Sequence, residues 1–432
     1  MTTQPTGHAG YAAKYGVSNI GAVVIGNILE WSDFATYGYF APVIGRRFFP
    51  DLGAVSGLNS AFAVFALGFV GRVVGGYLFA RQSARAGQRA ALRTSIIIMA
   101  ISTALIGCLP TFSQVGIIAP LLLVALRVIQ GMSLGGEFTT SLTYLYTVSP
   151  PGKRGLMCGL IASAATSGFL WGSAFCATLM TWLSPDSVDL YGWRIPFLLG
   201  ASVAVIAFFL RGRLNAANDH DGYISTHTAR SHTTSAASIG VRTVTGCACY
   251  MFGFYLIFIY LPSGLHLHSG MGIGSALSLT SASLLLLTVI CPLAGMLADR
   301  FRPIPVLLVS TIALSIAAIP IFHTLANSTT TAVSIASLTL LTVLFAPIQA
   351  VAPLPFIEHA LRSGRGASFS IGLNVAGVGF GGLAPIAANL ISARYSGLGA
   401  CGWLLAITAV VSATSLVVDQ RQLPANNLQT LQ

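Results

Sequence analysis

Apolar residues run along this chain in blocks of about twenty, separated by short polar or basic turns. At helical rise, a block of that length matches roughly 30 Å of hydrocarbon, so each reads as a membrane-crossing helix. Twelve blocks lie near 17–44, 57–80, 91–110, 116–146, 155–183, 192–210, 239–264, 271–297, 303–325, 330–358, 366–392 and 399–418. They are continuous and do not alternate with period two, which selects helices over a β-barrel. The long polar segment "RGRLNAANDHDGYISTHTARSHTTSAAS" (211–238) splits them six and six. The predicted fold is an all-α membrane protein: a tail (1–16), a six-helix bundle (17–210), a linker (211–238), a second six-helix bundle (239–418) and a tail (419–432). Two six-helix halves related by an axis along the membrane normal are a recurrent transporter plan.

Composition agrees. The 432 residues are 54% hydrophobic and 8% charged, against about 25% charged in soluble domains. A net charge of +11 would suggest nucleic acid in a soluble protein, but its placement argues otherwise. With the N-terminus in the cytoplasm, sixteen basic residues fall on the cytoplasmic side, among them Arg81, Arg85, Arg93, Arg154, Arg300, Arg302, Arg362 and Arg365. Four fall outside: Arg46, Arg47, Arg194 and Arg394. This positive-inside bias predicts cytoplasmic termini in a bacterial inner membrane, with no nucleic-acid partner. The polar start lacks a short apolar core with a cleavage site, so the first block reads as a retained span. The seven cysteines lie mostly inside spans without paired spacing, which favours buried free thiols over disulfides or a metal site at Cys247 and Cys249. No cofactor and a single-chain unit are expected.

Five ionisable residues fall well inside spans: Glu30, Asp33, Arg72, Arg127 and Glu137. Each costs at least about 2.5–3.5 kcal/mol at the bilayer centre if unpaired, so each should face a cavity or a partner. Glu30, Asp33 and Tyr37 follow one stripe of the first helix, and Arg127, Gln130, Leu134, Glu137, Ser141 and Tyr144 one face of the fourth. A carboxyl that carries protons needs a desolvating cavity to bring its pKa into range. Asp33 is the first candidate, Glu137 the second and Glu30 the third, the alternative being a static ion pair with Arg72 or Arg127. Arginines stay protonated; Arg127 and Arg72 are candidate anchors for a substrate carboxylate. The second half offers Tyr250, Tyr255, Tyr260, Gln349 and Asn374 inside apolar helices, which points to polar or stacking contacts.

Two other motifs are weaker. The G-x-G-x-x-G at 377–382 lies inside an apolar span, where close helix packing is expected and not a nucleotide loop. His266 and His268 form an H-x-H on an outer loop, and His359 beside Glu358 is a candidate pH-sensitive element.

The stretches "GNILEWSDFATYGYFAPVIGRRFFP" (26–50), "LRVIQGMSLGGEF" (126–138) and "SFSIGLNVAGVGFGGLAPIAANLI" (368–391) carry a resemblance. With the degenerate loop signature at Gly295, Asp299 and Arg300, the chain resembles the major facilitator superfamily, specifically its metabolite:proton symporter branch. The resemblance implies that the first and fourth helices line a central cavity. It also implies proton-coupled import of a small metabolite, either an organic acid or a zwitterion such as betaine or proline. It further implies a cytoplasmic gate, drawn here from Arg81, Arg154, Asp299, Arg300, Glu358 and Arg362. Two family acids are missing: Ala80 stands before Arg81, and Thr147 replaces a glutamate. The gate should therefore be asymmetric. The leading expectation is proton symport of a small organic acid or related metabolite, not enzymatic turnover. Proton-antiport export of a polycarboxylate or drug, and a non-transporting sensor, stand as alternatives.

Overall fold

The computed structural model describes residues 17–135, 139, 142–143, 146–147, 149–150, 152–202, 235–327, 330–395 and 397–422. Most of the expected linker, the N-terminal tail, most of the C-terminal tail and Glu137 lie outside these residues. The described chain folds into helices α1 (Val17–Tyr39), α2 (Gly53–Ala86), α3 (Gln88–Cys108), α4 (Ile118–Ser133) and α5 (Arg154–Trp182). A sixth, α6, covers 194–202. The second half comprises α7 (Ala236–Ser269), α8 (Ile273–Phe301), α9 (Pro303–Asn327), α10 (Thr331–Arg362), α11 (Gly366–Arg394) and α12 (Cys401–Gln422). Among the described residues, eight helices are long and apolar enough to cross a bilayer, while Arg93–Cys108 and Ile118–Ser133 are shorter apolar pieces.

Several helices outrun their apolar blocks. Helix α12 continues to Gln422, beyond the boundary expected at 418, because Asp419 is buried and pairs with Arg242 at 3.2 Å. Prolines set the irregularities. Phe40 breaks α1 from the short helix Ala41–Phe48, which carries proline in its first turn. A π-helical turn at Leu256–Tyr260 precedes Pro262 in α7, and another at Gly377–Gly382 precedes Pro385 in α11. Widening the helix there accommodates a ring that would otherwise meet the carbonyl one turn back.

The bundles join along two seams. Helix α5 packs along α8 through small residues. A Cβ on Gly155 would strike the backbone at Gly295, and one on Gly159 the backbone at Cys291. Higher up, Ser163 donates to Thr288 O at 2.8 Å and Ser173 to Leu277 O at 3.1 Å. The pseudo-symmetric seam sets α2 against α11, where a Cβ on Gly382 would stand 3.1 Å from Ala66 Cα. The glycine-rich 377–382 stretch is therefore a packing surface. Side chains such as Tyr77, Val309 and Ile316 remain exposed on the outer face, as a lipid-facing wall requires.

Candidate substrate and proton site

Helix α1 packs along α5 and carries Glu30, Asp33 and Tyr37 into the interior, where all three are buried. Arg127 of α4 is fully buried beside them. Its Nη1 donates to Gln130 Oε1 at 2.6 Å and its Nη2 to Phe34 O at 3.3 Å. Gln130 Nε2 donates in turn to Thr103 Oγ1 of α3 at 2.7 Å. The Thr103 hydroxyl lies beside the Asp33 carboxylate. Hydrogen bonds thus run from the arginine of α4 to Thr103 of α3, which stands beside the acid of α1. Asp33 also lies against α6, where a Cβ on Gly200 would overlap its Oδ1.

Aromatic rings enclose this chain. The Arg127 guanidinium carbon sits 4.4 Å from the Phe34 ring centroid, 4.3 Å from Tyr37 and 5.2 Å from Phe65. Arg72 of α2 is buried and lies 4.7 Å from the Trp31 ring and 5.7 Å from Phe69. Phe69 meets Tyr255 of α7 edge-on at 5.1 Å, and Phe169 of α5 meets Phe254 at 4.6 Å. Tyr37 anchors its hydroxyl on Ala61 O at 3.2 Å. The faces of these rings satisfy two buried cations that would otherwise be costly. Among the described residues, Nε of Arg127 and Nε of Arg72 have no hydrogen-bond partner, which leaves donors for a ligand.

The expected site residues are thus partly gathered. Asp33, Arg127, Gln130 and Tyr37 share one locus, and Arg72 and Tyr255 reach it through the aromatic cluster. Gln349 is buried with Oε1 unpartnered among the described residues. Asn374, expected at the substrate, donates to Gly135 O at 3.4 Å and Ser370 O at 3.0 Å, a tie between α11 and the end of α4. Thr103, Gly200 and the ring cluster were not anticipated; a Ser-Thr pair at 102–103 inside an apolar block was the available signal for the first.

At the end of the bundles rich in basic residues, Asp299 of α8 accepts hydrogen bonds from Gly155 N (2.6 Å) and Leu156 N (2.8 Å) of α5. Glu358 lies 3.9 Å from Arg154 and is bonded to Arg362. Asp299 and the Glu358–Arg154 pair thus lock the two bundles together at this end, while Arg362 holds Glu358 from within α10. Arg300 instead stacks on Phe301, and among the described residues Arg81 has no ion pair. His359 Nδ1 stands 4.0 Å from Asp419, and His266 Nδ1 is bonded to Met271 O at 2.9 Å. At the opposite end Asn389 donates to Val55 O at 3.2 Å, so the bundles also meet there.

Two pseudo-symmetric helical bundles enclosing buried charges define a membrane transporter, not an enzyme. The sequence profile of the Major Facilitator Superfamily matches residues 23–370, and the chain belongs to that family. It is 30% identical over 385 residues to the proline/betaine transporter of Escherichia coli (strain K12), covering 83% of this chain and 75% of that one. It is 29% identical over 410 residues to a putative proline/betaine transporter of Staphylococcus aureus (strain MSSA476), covering 92% and 87%. In fold it is similar to the xylose transporter of E. coli in a partially occluded inward-open conformation, with TM-score 0.71, 16% identity and coverage of 94% and 99%.

Proposed function

We propose that this chain carries out proton-coupled symport of a small carboxylate-bearing metabolite by alternating access, across a bacterial inner membrane with its basic end in the cytoplasm. The run of polar groups from Arg127 through Gln130 and Thr103 to Asp33 carries the proposal, because it sets a fixed cation close to a titratable acid. A proton on Asp33 removes the negative charge that shares the field of Arg127. The guanidinium is then free to take the substrate carboxylate through two hydrogen bonds. Loss of the proton restores the competitor and favours release. Glu30, and Glu137 outside the described residues, are the other candidate carriers.

Among organic acids and zwitterions, the zwitterion fits better. Ring faces that already accept guanidinium groups also accept an ammonium. The named activity of the proline/betaine relatives agrees with this choice.

The test is uptake of labelled glycine betaine, proline and citrate into proteoliposomes under an imposed pH gradient of either sign. Accumulation driven by inward proton flow is expected. Accumulation only with the opposite gradient would mark an antiporter, and binding without flux a sensor.

A further inference from the structure

A crevice of about 240 Å³ opens on the outer wall of the first bundle, away from the central site, where α2, α3 and α4 meet near the basic end. Its walls are the apolar side chains of Leu78, Ile98, Ile129 and Met132. Leu78 and Ile129 are half exposed at its mouth, so it faces the hydrocarbon of the bilayer. Gln82 and Thr94 close its upper edge, joined by a 2.8 Å hydrogen bond from Gln82 Nε2.

What lies above that edge gives the crevice an occupant. Leu78, Gln82 and Arg85 follow one another at i, i+4 and i+7 on α2, with Arg81 beside them. On α3, Arg93 heads an exposed stripe that continues through Ile97 and Ile101. All three arginines are exposed, and among the described residues none has an acidic partner. From Leu78 to Arg81 and Arg85 the rise is roughly 5 and 10 Å, enough to cross the interfacial layer of about 5–8 Å between hydrocarbon and water. An apolar slot, a neutral polar edge and a cationic rim are thus stacked in the order acyl chain, glycerol ester, phosphate.

We propose that this crevice is a binding site for an anionic phospholipid of the leaflet at the basic end. One acyl chain lies between Leu78, Ile98 and Ile129, and the phosphate is held by Arg81, Arg85 and Arg93. Guanidinium groups offer paired donors to phosphate oxygens, and the negative surface of an anionic leaflet is drawn to the same rim.

Native mass spectrometry of the purified full chain, released from mixed phosphatidylglycerol and phosphatidylcholine micelles with matched acyl chains, tests the proposal. The wild type should retain the anionic lipid selectively. R81Q/R85Q should lower the anionic-to-zwitterionic retention ratio about 30-fold, at roughly fivefold per arginine near a charged surface. R300Q/R302Q removes the same charge at the other bundle and should leave most of the selectivity. Ile129→Trp, at the exposed mouth, should reduce retention of both lipids. Equal losses in the two arginine doubles would show diffuse surface attraction and overturn the site. So would unchanged retention in the tryptophan variant. Should the first double fail to fold, R93Q reads the same ratio with an expected fivefold fall.

Discussion

Asp299 caps the first turn of a helix in the opposite bundle, receiving the Gly155 and Leu156 amides at 2.6 and 2.8 Å. Helix α5 has no side-chain cap of its own, so this carboxylate alone joins its dipole to α8. A charged cap of this kind contributes about 1–2 kcal/mol. Asp299→Asn should therefore shift the balance toward opening at this end by roughly tenfold. Cys158, buried one turn inside the lock, reports it: in a variant retaining Cys158 alone, its maleimide labelling rate should rise by about that factor. An unchanged rate would show that the cap does not hold the bundles together.

Asp33 is expected to separate driving force from passage. Asp33→Asn should abolish accumulation against a gradient and flatten the pH dependence of uptake, while exchange of labelled for unlabelled substrate persists. Gly200→Ala probes the same acid without touching it, since the new methyl would occupy the carboxylate position. It should lower uptake at least tenfold. Normal pH-driven accumulation in both variants would remove Asp33 from the mechanism.

Arg127→Lys keeps a charge but loses the fork that binds Gln130 and Phe34 O together. Charge-assisted hydrogen bonds are worth about 1.5–3 kcal/mol, so the substrate KM should rise roughly 10- to 100-fold. The variant chain should still fold, which a melting curve would verify, because the ammonium keeps its aromatic surroundings.

The aromatic faces predict selectivity. Trp31→Leu removes the ring over Arg72 and one face offered to a substrate ammonium. Cation–π contacts are worth about 0.5–2 kcal/mol, so glycine betaine should weaken roughly 2- to 30-fold. Binding of a carboxylate without an ammonium should change less. Calorimetric titration of both ligands against both proteins measures the difference, and equal losses would count against a zwitterion.

The helices, their division into halves and the inward stripe of α1 were legible because hydrocarbon imposes length and polarity on every span. Arg127, Asp33 and Gln130 stood out for the same reason: polar groups at that depth require partners. The partners themselves were not legible. Thr103 and Gly200 come from α3 and α6, and no periodicity within one helix reports which face a distant helix will meet. The aromatic rings were hidden too, since Phe34, Phe65 and Phe69 look like any apolar residue until they are seen stacked around a guanidinium. Asn374 shows the opposite case, an amide that was conspicuous in sequence yet joins two helices in space.

The first turn of α11, pseudo-symmetric to that of α5, starts after Arg365 with no side-chain cap. Among the described residues, the contact between bundles at the basic end is therefore capped on one flank only. Separation should begin at the uncapped α2–α11 flank and pivot about the α5–α8 seam, so the mouth would open as a wedge and not as a parallel slit.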